Sequence, residues 1–259
     1  CLSVFFWAKY RQTKSAVKMH TLFDVQSSIP YYFRITDGLV GDMSILKQLA
    51  FIPGAFYVMD RGYNDFIQLY RIHTSRAFFV IRARSPLRFK RIYSKPKKEN
   101  IIFDQVGEFT VYSSKKAYPE KIRCIKSFDP ETRSKIVLLT NNFDVEATDI
   151  AEFYKKRWQV ELFFKWIKQH LKIRTFWGFS ENAVKTQIYS ALSVYLIVAL
   201  LKYNLNIQQK LFEILQILSV SLLVKEPINE VFRKSQLQNM QVTDPNQLKI
   251  WQIKPDASE

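Results

Sequence analysis

Hydrophobic and polar positions in the first part of the chain switch between the periods of strands and helices. Residues 17–25 and 29–36 are rich in apolar, β-branched and aromatic side chains, and the polar residues between them predict a β-hairpin. Residues 42–49 have helical spacing, with Asp42 as the expected N-cap. The pattern then predicts a strand, an amphipathic helix and a second strand, at residues 55–59, 63–73 and 77–82. This alternation indicates a mixed α/β sheet.

The middle of the chain changes character and predicts a β-rich segment over residues 84–142. Alternating apolar and polar positions at residues 109–113, 121–126 and 135–139 predict short strands separated by charged turns. Residues 82–98, at the start of this segment, contain eight lysines and arginines and no acidic residue. Such a run is typical either of a solvated loop or of a surface that follows DNA phosphates.

From residue 143 the pattern is helical almost to the end of the chain. Residues 147–172 contain neither Gly nor Pro and predict one long helix, with Thr148 as its N-cap. A second helix is predicted at residues 182–205. Its most apolar run, residues 191–201, is shorter than the roughly 20 residues that a membrane-spanning helix needs, so we expect a buried helix.

Four residues of the predicted 147–172 helix lie on one face: Tyr154, Arg157, Glu161 and Lys168. At about 100° per residue they fall within a stripe about 60° wide, beside an apolar face. In one interpretation the stripe is a set of surface ion pairs around a lone carboxylate, each worth a few tenths of a kcal/mol. In the other, Glu161 binds a divalent cation, and the Tyr, Arg and Lys side chains hold DNA phosphates.

Composition and charge indicate a partner. The chain has 39 Lys and Arg against 23 Asp and Glu, a formal charge of +16 and a pI near 9.7. Nucleic acid is the leading partner, with an anionic membrane or a plain solvated surface as alternatives. Cys1 and Cys124 lack zinc-ligand or disulfide spacing, which indicates a reduced, intracellular protein. The three histidines, His20, His73 and His170, are isolated and are expected to be structural or on the surface.

Two motifs resemble a known family. Tyr154, Arg157, Glu161 and Lys168 are separated by two, three and six residues, which matches the YREK signature of the insertion-sequence-four family of DDE transposases. Residues 59–63, Met-Asp-Arg-Gly-Tyr, resemble the segment around that family's second catalytic aspartate. The resemblance extends from about residue 2 to residue 200.

This resemblance implies a fold and a set of site residues. The implied fold is an α/β RNase H-like core, with the β-rich segment inserted between the second aspartate and the glutamate, followed by C-terminal helices. The implied catalytic metal ligands are Asp60 and Glu161, with Mg²⁺, or Mn²⁺ in its place, as the cofactor. The implied or candidate DNA contacts are Tyr154, Arg157, Lys168, Trp158 and Lys165. For Trp158, anchoring the helix in the core is the alternative.

The resemblance also implies a division of the chain and a reaction. The expected parts are a first core part at residues 1–83 and the β-rich insertion at residues 84–142. A helical core part with the glutamate follows at residues 143–225, and a polar tail at residues 226–259. The expected reaction is metal-dependent cleavage and strand transfer at insertion-sequence ends, that is, cut-and-paste DNA transposition. The expected partners are double-stranded end and target DNA and a second subunit in a homodimeric synaptic complex. We expect a bacterial, cytoplasmic, nucleoid-associated protein and no membrane partner.

One catalytic residue of the family has no match. Its first aspartate would precede Cys1, so the sequence predicts an N-terminally truncated protein with impaired cleavage. Asp24, Asp37 and Asp42 are the available substitutes. Two other functions stay open at this point: a non-catalytic DNA-binding remnant of a transposase, and a metal-dependent nuclease of the same fold.

Overall fold

The structure is a computed structural model that describes residues 7–11, 14–96, 98–171, 173, 175–221, 223 and 225–233. The chain divides into two compact units, Cys1–Tyr189 and Ser190–Glu259. The first unit contains all the strands found in the described residues and the candidate site.

The first unit begins with two small antiparallel pairs. β1, Lys9–Arg11, pairs with β2, Lys14–Ser15. β3, Val17–Asp24, pairs with β4, Ile29–Asp37, along the whole length of both strands. The predicted hairpin is therefore confirmed.

A six-stranded sheet forms the centre of this unit. Its strands are β5 Phe56–Met59, β6 Phe78–Arg82, β7 Phe89–Ser94, β8 Ile101–Phe109, β9 Ile122–Asp129 and β10 Ser134–Thr140. Their order is β5-β6-β10-β9-β8-β7, in which β5 and β6 are parallel and the other neighbours are antiparallel. The predicted mixed α/β sheet is confirmed, and the strands of the β-rich segment join the same sheet as β5 and β6.

Short helices flank the strands. They are α1 Asp42–Leu46, α2 Phe66–Thr74 and α3 Tyr112–Ala117. The Asp65 side chain caps α2 by accepting hydrogen bonds from two backbone N–H groups. The predicted N-cap of α1 is wrong, because the cap is Gly41 and Asp42 is the first helical residue. The predicted strand at residues 109–113 is also wrong, since β8 ends at Phe109 and α3 follows.

The two faces of β5 pack against different helices. Tyr57 and Met59 are buried in a core cluster with residues of α2. Phe56 and Val58 pack on the opposite face, against a cluster that includes residues of the next helix, α4, Ala147–Lys156. This alternation is the ordinary period of a strand, and it determines the face on which a side chain following β5 emerges.

The predicted single helix over residues 147–172 is wrong at Arg157. α4 is followed by a separate helix, α5, Trp158–His170. At the junction the N–H of Arg157 donates to the Tyr154 carbonyl, and the N–H of Val160 donates to the Arg157 carbonyl, both at 3.2 Å. These bonds span three residues instead of four, so the helix tightens locally. Thr148 lies inside α4 and is not its N-cap.

A buried ion pair fixes the loop that leads into α4. Arg123 on β9 donates to both carboxylate oxygens of Asp104 on β8, at 2.9 and 2.7 Å, and both side chains are almost fully buried. The same guanidinium donates to the carbonyls of Asn142 and Val145 at 3.3 and 2.5 Å. The pair therefore connects two strands of the sheet to the start of the helical part.

The last helices are α6 Glu181–Asn204 and α7 Leu211–Ser221. In the second unit, Val198, Ile207, Ile214 and Phe232 form a buried apolar cluster. Within the described residues, one helix, α6, is long and apolar enough to cross a membrane by length and composition, with a mean hydropathy of 1.6. A core helix of a soluble protein passes the same test. The argument that the apolar run is too short for a membrane is therefore wrong, because the helix around it has 24 residues.

Candidate active site

Asp60 directly follows β5 and is exposed to solvent. Its carboxylate accepts a hydrogen bond from the N–H of Gly62 at 2.6 Å and so caps a short 3₁₀ turn, Arg61–Tyr63. The backbone of Asp60 is extended, with φ −77° and ψ 175°. Continued alternation from β5 predicts the Asp60 side chain on the same sheet face as Phe56 and Val58.

Gly62 leaves room for this carboxylate in its present position. A Cβ added to Gly62 would lie 2.8 Å from the nearer Asp60 oxygen. Any side chain at this position would therefore push the carboxylate away. This contact gives a physical reason for the Asp-Arg-Gly-Tyr sequence of the motif.

Two side chains hold the turn from outside. Arg84 donates from Nε to the Arg61 carbonyl at 3.0 Å and from Nη2 to the Gly62 carbonyl at 3.1 Å. Asn64 donates from Nδ2 to the carbonyls of Arg61 and Arg82 at 3.0 and 2.7 Å. Neither residue was predicted as part of the site. In the sequence, Arg84 is one of eight cations in a basic run. Its role was missed because a hydrogen bond between residues more than 20 positions apart leaves no local sequence pattern.

Tyr63 ends the turn and is half-buried. Burial raises the pKa of its hydroxyl far above the ordinary value, and the negative charges of Asp42 and Asp60 raise it further. The hydroxyl therefore stays protonated across the usual pH range.

Glu161 is half-exposed on α5 and bonded to Arg157. Nη1 of Arg157 donates to a Glu161 oxygen at 2.7 Å, and the guanidinium lies 5.7 Å from the centre of the Tyr154 ring. Burial acts to lower the pKa of Arg157, but its contacts with Glu161 and Tyr154 outweigh burial and raise the pKa above the ordinary value. Arg157 therefore stays charged and pairs with the Glu161 carboxylate.

The other candidate DNA contacts differ in exposure. Tyr154 is buried in the cluster between α4 and the sheet, at 8% exposure. Lys165 and Lys168 are exposed on α5. Trp158 is 55% exposed and so does not anchor the helix in the core. These four residues therefore comprise a buried tyrosine, two exposed lysines and one exposed indole.

The three aspartates considered as substitutes each have local partners. Asp24 accepts hydrogen bonds from the N–H groups of residues 26 and 27. Asp37 accepts from those of residues 39 and 40. Asp42 forms an ion pair with Lys18 at 3.0 Å, and the same carboxylate oxygen lies 2.9 Å from Nδ1 of His20. Each carboxylate thus stabilises a turn or the hairpin, and nothing in these contacts favours a role in metal binding.

Two histidines have structural partners, as expected. Nε2 of the buried His20 is 2.9 Å from the Thr36 hydroxyl. Its Nδ1 lies 2.9 Å from an Asp42 oxygen without forming a hydrogen bond to it. Burial lowers the pKa of His20 below its ordinary value despite the opposing effect of Asp42. Nδ1 of His73 is 2.7 Å from the hydroxyl of the buried Tyr118.

Several cations of the basic run at residues 82–98 bind the protein itself. Besides Arg84, Lys95 donates to the carbonyl of Phe143, and Lys98 forms an ion pair with Glu146 at 3.0 Å. Arg88, Lys90 and Arg91 are exposed. Some cations of the run therefore stabilise the fold, and others are exposed and could bind phosphates. The sequence alone did not distinguish these two groups.

The expected metal ligands, Asp60 and Glu161, are held by separate local contacts, with Gly62 and Arg157 respectively. Within the described residues, no group of three or more His, Cys, Asp or Glu side chains is placed to share a metal ion. The chemistry of both residues suits a hard cation, since exposed carboxylate oxygens are the ligands that Mg²⁺ prefers.

A family model for the transposase DDE domain matches residues 5–197. Because this match covers most of the chain, the chain belongs to the transposase DDE domain family. The matched region includes both motifs, and its limits agree with the resemblance at residues 2–200.

Bacterial relatives extend this finding. The chain is 38% identical over 196 residues to "Putative transposase y4zB" of Sinorhizobium fredii, covering 73% of this chain and 54% of that protein. It is 30% identical over 192 residues to "Probable transposase for insertion sequence element IS5377" of Geobacillus stearothermophilus, covering 74% and 51%. The chain thus spans about half the length of these two relatives.

Proposed function

We propose that this chain carries the catalytic core of a DNA transposase that cleaves and joins DNA strands at the ends of an insertion sequence. One observation carries the proposal. Within the family match, Asp60 directly follows β5, a strand that packs against α4, and Glu161 is bonded to Arg157 on the helix that directly follows α4. The spacing of the Tyr, Arg, Glu and Lys residues there supports the insertion-sequence-four branch of the family.

The proposed fold is the RNase H-like core of DDE transposases, with the segment at residues 84–142 as an insertion between the two ligand residues. The parallel β5–β6 pair with helices on both sides supports this assignment. The other proposed boundaries remain those at residues 1–83, 143–225 and 226–259.

Mg²⁺, or Mn²⁺ in its place, is the proposed cofactor, and Asp60 and Glu161 are its proposed ligands. When bound, the metal ions activate the attacking oxygen and stabilise the leaving oxygen of an in-line displacement. Arg157 orients Glu161 through the 2.7 Å bond. A guanidinium has five N–H donors, so others are left for a DNA phosphate.

The other candidate DNA contacts have proposed roles that follow from their exposure. The exposed Lys165 and Lys168 supply point charges for phosphates, and the exposed Trp158 is a further DNA contact. Tyr154 is buried and its ring lies 5.7 Å from the Arg157 guanidinium, so it acts by orienting that guanidinium. The proposed partners are end and target DNA and a second subunit in a synaptic complex, in the nucleoid of a bacterial cell.

We further propose that robust cleavage needs the family's first aspartate, because Asp24, Asp37 and Asp42 are engaged in local contacts. None of these three aspartates is expected to replace it. The test measures Mg²⁺-dependent cleavage and strand transfer on the element's own end DNA. It compares this chain with a polypeptide extended by the residues encoded upstream.

The extended polypeptide is expected to cleave and join, and Asp60→Asn or Glu161→Gln to remove both activities while DNA affinity is kept. Glu152→Gln is the matched control, since Glu152 is an exposed glutamate on α4 that pairs with Lys156 four residues later. Cleavage without strand transfer would favour the nuclease. Binding without cleavage by either polypeptide would favour the remnant, and robust cleavage by this chain alone would contradict the need for a further aspartate.

A further inference from the structure

We propose that Arg84 is a positioning residue that fixes the Asp60 carboxylate through the Arg61–Gly62 peptide. The inference deepens the proposed function and rests on Asp60 as a metal ligand. It concerns a residue more than 20 positions away from Asp60 in the sequence.

The argument begins with a single planar peptide unit. The carbonyl of Arg61 and the N–H of Gly62 belong to the same peptide, and such a unit moves as a rigid plane. Its N–H donates to Asp60 at 2.6 Å, and its carbonyl accepts from Arg84 at 3.0 Å. Asp60 and Arg84 therefore bind opposite edges of the same peptide plane. The bond from Arg84 sets the orientation of this peptide, and the peptide sets the direction of the N–H that binds Asp60.

The second bond of Arg84 stabilises the next peptide. Nη2 donates to the Gly62 carbonyl at 3.1 Å, so the planar guanidinium spans two consecutive carbonyls. Lys could not reproduce this geometry, since its ammonium is a single point of charge. Glycine has no Cβ to restrict its backbone, so the external bonds limit how the turn can rotate.

The positive charge of Arg84 strengthens the hydrogen bond between the Gly62 N–H and Asp60. A cation at the carbonyl polarises the peptide, and chains of hydrogen bonds reinforce one another. The Gly62 N–H is therefore a better donor to a carboxylate when the guanidinium is present. Asn64 donates to the same Arg61 carbonyl at 3.0 Å without a charge, and we expect its removal to have a smaller effect.

The first measurement is the exchange rate of the Gly62 amide hydrogen with water, which reports on the bond to Asp60 without relying on activity. The chain has six glycines, so selective ¹⁵N-glycine labelling gives few amide signals, and Gly62→Ala identifies the one of interest. In Arg84→Gln, water exchange of the Gly62 amide is expected to rise at least tenfold. Arg84→Lys should lie between Arg84→Gln and the unsubstituted chain.

Two controls accompany this measurement. The Gly54 amide, which donates to the Arg76 carbonyl at 2.8 Å, should keep its exchange rate in every variant. Arg133→Gln removes one exposed arginine from the turn between β9 and β10 and should leave the Gly62 amide unchanged. Unchanged Gly62 exchange in Arg84→Gln would overturn the proposal.

The second measurement separates positioning from a purely structural role. Binding of Mn²⁺ is titrated by electron paramagnetic resonance, with the melting temperature recorded in parallel. Arg84→Gln should weaken Mn²⁺ binding at least fivefold with little change in melting temperature, and Asp60→Asn should weaken it more. Faster Gly62 exchange with unchanged Mn²⁺ affinity would refute the positioning role. If Asp60→Asn itself leaves Mn²⁺ binding and cleavage intact, Asp60 is not a metal ligand. The proposed role of Arg84 is then contradicted as well, because it depends on Asp60.

Discussion

At the scale of single residues, the site depends on a glycine as much as on its carboxylates. The Gly62 N–H holds Asp60, and the absence of a Cβ at Gly62 leaves room for the carboxylate oxygen. The motif identified Asp60 because its residues are consecutive in the sequence. Arg84 and Asn64, which hold the same turn, could not be predicted, since their partners are backbone carbonyls that any residue supplies.

Gly62→Ala is predicted to reduce metal-dependent cleavage at least tenfold in the cleavage-competent polypeptide, with the melting temperature nearly unchanged. The added Cβ would lie 2.8 Å from the Asp60 oxygen and would displace it, whereas the turn itself is exposed. The control is Gly41→Ala, because no atom lies within 4 Å of a Cβ at Gly41. Equal activity of the two variants would argue against the importance of the Asp60 orientation.

At the scale of elements, the apolar pattern of the sequence predicted which segments are strands and which are helices. It did not predict where each element ends. The hairpin, the β5 and β6 strands and α2 agree with prediction because their apolar periods are undisturbed. The break between α4 and α5 was missed because Arg157 keeps helical backbone angles and only the hydrogen-bond spacing changes. The predicted stripe assumed one continuous helix, and the burial of Tyr154 depends on the sheet beneath it, which the helical period does not show.

The buried Arg123–Asp104 pair gives a prediction at this scale. Asp104→Asn is expected to lower the free energy of unfolding by roughly 3–5 kcal/mol, because it leaves a buried guanidinium without its counter-ion. Glu108→Gln is the matched control on the same strand. It removes the exposed pair with Lys115 at 3.0 Å and should have little effect. Urea unfolding of both variants measures the difference, and similar losses in the two would contradict the assigned importance of burial.

At the scale of the whole molecule, the net charge of +16 was readable from composition, but the distribution of that charge was not. Part of the basic run binds the protein's own carbonyls and Glu146, so a count of cations overstates what is free to meet DNA. The strand order was equally hidden. Nothing local in residues 134–140 indicates that β10 lies between β6 and β9.

DNA affinity is predicted to fall at least about tenfold between about 50 and about 200 mM salt, because phosphate contacts release counter-ions. Lys168→Gln should lower the slope of log affinity against log salt by about 0.9, the value for one phosphate contact. Lys116→Gln removes the same charge from α3 and should leave the slope unchanged. Fluorescence anisotropy on end DNA measures both. A slope that is the same with and without Lys168 would exclude that residue as a phosphate contact.

The position of β10 in the sheet also affects how the chain is made. β6 is synthesised with β5 as its parallel neighbour, and its antiparallel neighbour β10 begins roughly 50 residues later. At about 5–20 residues per second the ribosome needs roughly 3–10 s to supply it. For that interval one edge of β6 carries unpaired N–H and C=O groups beside apolar side chains, which is the kind of edge that joins strands of other chains. The β7–β10 meander must therefore fold back promptly after synthesis to cover it.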